Sequence, residues 1–257
     1  MKSVVLIKQV QEAPSVQGEP GGPGKVVADS QNVTNPYDLF AVEEGIRARE
    51  KHGGEVTAIT LGGDTAVESL REALAMGVNG AVHVKDAAFD ELDSSGAARV
   101  LAAAVEKVGD VDVVFVGKAT IDTNMGVTGP MVARHLGMTV LTEVFEVGEV
   151  DAAGRSITVK RLLEDGLQEV KAKLPALLAV TKDINEPRYA SLLGIRKAAK
   201  APVTVWSGAD LGVTATSATR ITARTVPAAR SAGEQFQGEP EELAEKLVAK
   251  LVEGKFI

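Results

Sequence analysis

Apolar, β-branched runs alternate with stretches of helical periodicity along the first half of the chain. The strand-like runs are "SVVLIKQV" from Ser3, "EVTAITL" from Glu55, "GAVHV" from Gly80 and "VDVVFVG" from Val111. Helical patterns fill the gaps, over 36–52, 65–76, 95–108 and 127–136. This alternation predicts βαβ units, which place a mainly parallel, doubly wound sheet between two helical layers. Boundary signals agree: Asn35-Pro36 reads as an N-cap with proline at the first helical position, Asp38 falls in the positive first turn, and Gly53-Gly54 closes the helix. In the next helix Val67, Leu70 and Leu74 form a core-facing stripe, and Gly77 is placed to end it.

From about residue 139 the grammar changes. The runs "MTVLTEVFEV", "ITVKRLL", "LQEVKAK" and "PALLAVTK" follow one another without a helix, and Asp165-Gly166 is a hairpin signal. An antiparallel hairpin excursion is therefore expected on the α/β sheet, with "PALLAVTK" returning as a core strand. Beyond Pro202 a polar, small-residue stretch of weak periodicity predicts an arm running over another surface. The arm ends in a helix: Pro240 starts it, Leu243, Leu247 and Leu251 form its stripe, and Gly254 ends it. The expected division is 1–202 as an α/β domain and 203–257 as a C-terminal arm.

Composition narrows the function. The 257 residues are 45% hydrophobic, enough for a sizeable core. A net charge of −7, from 28 basic and 35 acidic residues, with no long basic run, argues against nucleic acid as a partner. Without cysteine there is no disulfide, thiolate metal site or cysteine nucleophile. The apolar stretch before Lys8 is far short of a signal h-region or a span, so a cytoplasmic protein is expected.

Three segments carry candidate chemistry. The loop "VGKATIDTNMGVTGP", Val116 to Pro130, joins a strand to a helix and has glycines at 117, 126 and 129. It is no Walker A loop: Asp112 stands where the first glycine belongs, and Ala119 follows Gly117-Lys118 where a Ser or Thr is needed. Free N–H groups and the Thr123 and Thr128 hydroxyls at a helix N-terminus could hold a phosphate, or the segment is a plain βα loop. His52, His83 and His135 lie in separate elements, Glu164-Asp165 reads as a turn, and there is no G-x-S-x-G elbow, so neither a catalytic residue nor a metal site is expected. The third segment, Asn185 to Pro202, interleaves Arg188, Arg196, Lys197 and Lys200 with Tyr189, Leu192, Leu193 and Ile195. Either it is a docking surface or its leucines face inward.

Read with "NPYDLFAVEEGIRAREKHGGEVTAITLG", "REALAMG" and "VKRLLEDGLQEVKAKLPALLAV", these segments resemble the β subunit of electron transfer flavoprotein over nearly the whole chain, most specifically at "LPALLAV…NEPRYASLLGI". The resemblance implies an adenine-nucleotide-binding-like α/β fold. It also implies a heterodimer with an alpha subunit and FAD at the interface. Such a protein carries electrons from flavoprotein dehydrogenases of the acyl-CoA dehydrogenase type, as in fatty acid β-oxidation, to a quinone reductase or other acceptor, and is an electron carrier, not an enzyme. A structural AMP is implied at Leu6, Asn35, Pro36, Tyr37, Asp38, Leu61, Gly117, Lys118, Ala119, Thr120, Ile121, Asp122, Thr123, Asn124, Met125, Gly126, Val127 and Thr128. Partner docking is implied at Arg188, Tyr189, Leu192, Ile195, Arg196 and Lys197, with Leu192 as the anchor, and the 203–257 arm is implied to support the alpha subunit's flavin domain.

Departures from the family pattern open a second expectation. AMP-binding relatives carry more acids and a glutamine in the loop, whereas this chain has "IDTNMGVTG", differing at Thr123, Gly126 and Val127. Electron-bifurcating, NADH-oxidising members hold a second FAD at this place, and a pair such as Gly129-Pro130 occurs in their loops. The aromatic that leans on the flavin in relatives falls at Ala13, and an interface glutamate falls at Leu162, with Glu164 two residues on. The segment "VQGEPGGPGKVV" reads as a flexible turn. A free-standing nucleotide-binding protein of the stress-protein type would share the fold but leave the arm unexplained.

Overall fold

The computed structural model describes all residues from Met1 to Ile257 except 13, 14, 28, 29, 231 and 232. The Ala13 position therefore lies outside the described residues. Strands β1 (Lys2–Ile7), β2 (Gln9–Gln11), β3 (Ser15–Gln17), β4 (Lys25–Val27) and β5 (Asn32–Thr34) precede helix α1 (Pro36–His52). There follow β6 (Glu55–Leu61), α2 (Val67–Met76), β7 (Gly80–Val84), α3 (Ser94–Val108), β8 (Val113–Gly117) and α4 (Thr128–Leu136). Then come β9 (Thr139–Asp151), β10 (Ser156–Leu163), β11 (Gly166–Lys173), β12 (Ala176–Val180), α5 (Leu192–Lys200), β13 (Thr204–Trp206), α6 (Gly208–Leu211) and α7 (Pro240–Glu253).

The main sheet has nine strands in the order β11-β10-β9-β12-β8-β1-β6-β7-β13. All neighbours from β9 to β13 are parallel, and β10 and β11 extend the edge antiparallel. β1 is central and covered on both faces, so its run is apolar without alternation. Val5 and Ile7 join Ala41, Val42 and Ile46 of α1 and Leu70 and Ala73 of α2 in one core layer. Val4 and Leu6 join Val100, Leu101 and Val105 of α3 and Val132 of α4 in the other. Burying a side chain such as Ile46 contributes roughly 2–3 kcal/mol.

Chain direction across the sheet places the candidate site. From β1 the chain winds outward through α1, β6, α2 and β7, then returns through α3 to β8 on the opposite side of β1. The carboxyl ends of β1 and β8 thus flank the point where strand order reverses, where open α/β sheets bind ligands. As expected, β12 returns into the sheet, between β9 and β8, and β10 and β11 form the hairpin, with Leu163 opposite Gly166.

Two parts of the organisation differ from expectation. The larger unit comprises Met1–Ser15 and Val27–Thr222, so it runs twenty residues past the expected boundary. The reason is β13, whose three residues pair with β7 at the sheet edge, a strand too short to show periodicity. The other unit comprises Val16–Val26 and Ala223–Ile257. Within it the segment read as a flexible turn makes backbone contacts: Gly21 donates to Val226 O at 3.0 Å, Gly24 donates to Arg224 O at 2.8 Å, and Pro23 bridges to Thr225. Helix α7 has no buried residue.

Candidate functional site

The first turn of α1 is fastened to the ends of two strands. Asn35, fully buried, donates from its backbone N–H to Lys8 O at 2.8 Å, from Nδ2 to Ala119 O at 2.9 Å, and accepts from the Ile121 N–H at 3.2 Å. It occupies the N-cap position expected of it, but its side chain ties down the 117–128 loop in place of capping α1. Asp38 accepts the Lys8 N–H on Oδ2 at 2.8 Å and the Gly117 N–H on Oδ1 at 3.2 Å. Burial pushes its carboxyl up to about 7, against the lowering effect of those two amides and Asn35. Gly117 is required here: a Cβ would lie 2.5 Å from Asp38 Oδ1 and 2.7 Å from Tyr37 C.

The loop after β8 leaves on a bond from the Lys118 N–H to Val180 O, 2.9 Å, and turns with the Asn124 N–H on Thr120 O, 2.7 Å. Gly126 takes φ +64°, a region that favours glycine. Thr120 and Thr123 hydroxyls lie 3.2 Å apart, and Thr123, Asn124, Met125 and Gly126 are exposed. Helix α4 begins at Thr128 behind Val127, whose side chain cannot cap. Pro130 carries no N–H and Met131 bonds Val127 O at 3.0 Å, which leaves the Thr128 and Gly129 N–H groups without a side-chain cap among the described residues. Two ammonium groups border the loop. Lys8 Nζ is 2.6 Å from Asp122 Oδ2, and Lys118 Nζ is 3.6 Å from Glu143 Oε2 and 5.9 Å from the Tyr37 ring centre. Burial alone would raise Asp122, but the Lys8 ammonium holds its carboxyl below the usual value.

Sixteen of the expected nucleotide positions therefore converge: 35–38 at the start of α1 and 117–128 between β8 and α4. Leu6 and Leu61 lie in the strands beneath, their side chains packed in the core. Lys8 and Glu143 are additions. Glu143 has φ +54° at an irregularity in β9, where its pairing with β12 shifts register.

The docking candidates form a second cluster. Tyr189 is 100% exposed and Leu192 78%, and Leu193, Ile195, Arg196 and Lys197 are exposed too. Leucine faces that could have turned inward turn outward. The segment becomes α5 because Ser191 caps it, accepting the Gly194 N–H at 3.0 Å, and because Gly194 packs so close to α2 that a Cβ would meet Ala75 O at 2.5 Å. Arg188 behaves differently, since its guanidinium is turned onto Glu43 and Glu50 of α1. At the hairpin end Leu162 and Leu167 are opposed and exposed, and Glu164 is exposed in the turn. Among the described residues no group of three or more His, Cys, Asp and Glu could hold a metal, and no helix is long and apolar enough to cross a membrane.

Fold and site define a doubly wound α/β protein in which two helix starts and a glycine-bearing loop meet at the topological switch point. The family model for the electron transfer flavoprotein domain matches residues 24–211. Protein FixA of Azorhizobium caulinodans is 40% identical over 217 residues, covering 83% of this chain and 77% of its own. The electron transfer flavoprotein subunit beta of Thermoanaerobacterium thermosaccharolyticum is 37% identical over 98% of both chains, and subunit CarD of the caffeyl-CoA reductase-Etf complex of Acetobacterium woodii is 33% identical over 100% of both. The chain belongs to the electron transfer flavoprotein family, as a beta-type electron-transfer subunit.

Proposed function

We propose that the chain is the β subunit of a heterodimeric electron carrier that holds an adenine nucleotide at the switch point, shares an FAD with its alpha subunit, and docks flavoprotein dehydrogenases through residues 188–197. The observation that carries the nucleotide reading is the convergence of two helix N-termini, uncapped amides at α4 and two lysines on the carboxyl ends of β1 and β8. The residues fit such a group. Gly117 lets the start of α1 close onto the end of β8, the Thr120, Thr123 and Thr128 hydroxyls are polar partners for phosphate, and Lys8 and Lys118 supply positive charge. A bound AMP would be a structural ligand, and the FAD supplies the redox chemistry. The role of this chain's side chains is to hold, orient and dock.

The exposed Tyr189, Leu192 and Ile195 beside Arg196 and Lys197 suit an apolar pocket rimmed by acids on an acyl-CoA dehydrogenase-type donor. We assign the unit of Val16–Val26 and Ala223–Ile257 to contact with the alpha subunit, because α7 presents Leu247, Val248 and Val252 uncovered. Co-expression with an alpha subunit should give a yellow complex with one interface FAD. Leu192→Ala should slow reduction by a partner dehydrogenase at unchanged flavin content; unaltered rates would refute the docking assignment.

A second reading puts a second FAD in place of AMP, making the complex an electron-bifurcating oxidant of NADH. It is favoured by a loop with one acid, Asp122, and exposed apolar Ile121 and Met125, and by similarity to CarD, a subunit of a reductase-Etf complex. Two FAD per heterodimer with NADH-dependent flavin reduction would establish it, and one FAD plus one AMP would exclude it. Localisation in the cytoplasm belongs to the same proposal and is tested by fractionation.

A further inference from the structure

Glu43 lies on α1, and its side chain is 3% exposed. An ionised carboxylate in such a place is tolerated only when fully partnered. One partner is local: Arg47 Nε, one turn along, donates to Oε1 at 2.7 Å. The others come from a segment about 145 residues away in sequence. Arg188 donates its backbone N–H to Oε2 at 3.2 Å, Nε to Oε2 at 2.8 Å and Nη2 to Oε1 at 3.1 Å. The same guanidinium reaches Glu50, Nη1 to Oε1 at 2.7 Å and Nη2 to Oε2 at 3.0 Å.

Neighbouring residues are fastened to the same helix. Asn185 Nδ2 donates to Phe40 O and to Glu44 Oε2, both at 3.0 Å, and Arg47 Nη2 lies 3.4 Å from Glu186 O. Attachment to α1 ends at Arg188, and the next residue, Tyr189, is wholly exposed. Beyond it α5 is held on α2, where Arg71 Nη1 donates to Ala198 O at 2.6 Å and to Ala201 O at 2.5 Å. Three residues after Tyr189, Leu192 stands out from the first turn of α5. A bidentate, charge-assisted anchor directly ahead of the exposed Tyr189 and Leu192 fixes where the chain leaves α1.

We infer that Glu43 is a positioning residue for partner docking: by clamping Arg188 to α1 it sets the direction in which Tyr189 and Leu192 are presented. The inference rests on the proposal that 188–197 is the docking segment. Arg188 acts here as the anchor of the surface and not as part of it. The pairing needs charge on both sides, so glutamine keeps the shape and loses the clamp. Burial alone would raise Glu43, yet Arg188 and Arg47 hold its carboxyl below the usual value, so the clamp is charged at neutral pH.

The test uses the flavin-loaded heterodimer with an acyl-CoA dehydrogenase and its acyl-CoA as electron donor, varying the carrier. A docking segment in its presented conformation one-tenth of the time raises the apparent KM about tenfold. Glu43→Gln should therefore raise KM for the carrier about tenfold with kcat and flavin content kept. Amide hydrogen exchange should quicken over 186–193 and stay unchanged in β8. Arg188→Gln should do the same, and the double variant should be no worse than either single, because both remove one interaction.

Leu192→Ala separates the two claims. If it raises KM while Glu43→Gln leaves KM within twofold, the positioning role is wrong and docking stands. If neither changes KM, the docking reading falls and the inference with it. Additive effects of Glu43→Gln and Arg188→Gln, or loss of flavin together with kcat, would also overturn it. Should Glu43→Gln fail to fold, Arg188→Gln, whose side chain is 35% exposed, carries the same comparison.

Discussion

Replacing Gly117 by alanine tests whether the start of α1 and the end of β8 meet as tightly as the site requires. The added Cβ would sit 2.5 Å from Asp38 Oδ1 and 2.7 Å from both Tyr37 C and Tyr37 Cβ. Tyr37 C belongs to the first turn of α1 and cannot swing aside as a side-chain tip would. Asp38 is held from its other side by the Lys8 N–H at 2.8 Å. Relief must come from separating β8 from α1, which also lengthens the Gly117 N–H bond to Asp38. Overpacking costs about 1–3 kcal/mol, and stranding a buried donor about 1–3 more, so a loss of about 3 kcal/mol or somewhat above is expected. For a chain of this size that lowers Tm by about 6–12 °C. Gly63→Ala is the control, because a Cβ there meets nothing within 4 Å and its φ is already −66°. Differential scanning calorimetry of both variants at one pH decides the matter. A Gly117→Ala Tm within about 2 °C of the parent, or equal losses in both variants, would show that the close approach does not constrain the fold.

Other expectations follow from the same contacts. Asp38 has its folded carboxyl raised from 3.8 to about 7, so between those values the folded form keeps a proton that the unfolded form loses. Its contribution is present below about pH 4 and lost as pH rises to 7, by about 4 kcal/mol at 1.36 kcal/mol per unit. Unfolding titrations should show Asp38→Asn gaining on the parent over that window, and a gap independent of pH would contradict it. Glu43 has the opposite sign: its carboxyl is held below 4.5, so Glu43→Gln should be less stable at pH 7 and converge on the parent as pH falls below 4.5. Lys118→Met removes a half-exposed ion pair with Glu143 and should change stability by less than about 0.5 kcal/mol while lowering the nucleotide retained per chain; full retention would remove Lys118 from the site. Ser191→Ala deletes the α5 cap and should cost about 1 kcal/mol of local stability, seen as faster amide exchange at Gly194 and Ile195.

Legibility in the sequence followed the range of the forces involved. Helix α1 was readable because Asn35-Pro36 and Gly53 mark its ends, and the hairpin because Asp165-Gly166 marks its turn. The candidate loop showed through its glycine spacing, and the start of α1 through Asn35-Pro36. What the residues alone did not show depends on contacts distant in the chain. Asn35 looked like a cap, but Ala119 and Ile121, 84 and 86 residues on, claim its side chain. Glu143 reaches Lys118 from a bulge in β9 that register, not composition, creates. Lys8 did leave a trace, as the first charged residue after the apolar run of β1. Helix α5 was not read as a helix because it is only nine residues long and its apolar residues face solvent instead of a core, so they served equally for a docking loop. Arg188 read as part of a basic docking surface, and its inward turn depends on Glu43, which lies in a helix otherwise read for its core face.

The most direct test of the account is the nucleotide content of the purified heterodimer, extracted without chemical denaturation of the nucleotide and quantified against protein. The account predicts one adenine nucleotide in addition to the interface FAD, AMP on the first reading or FAD on the second, and its loss in Gly117→Ala. A complex with a single FAD, full electron-transfer activity and no second nucleotide would contradict it.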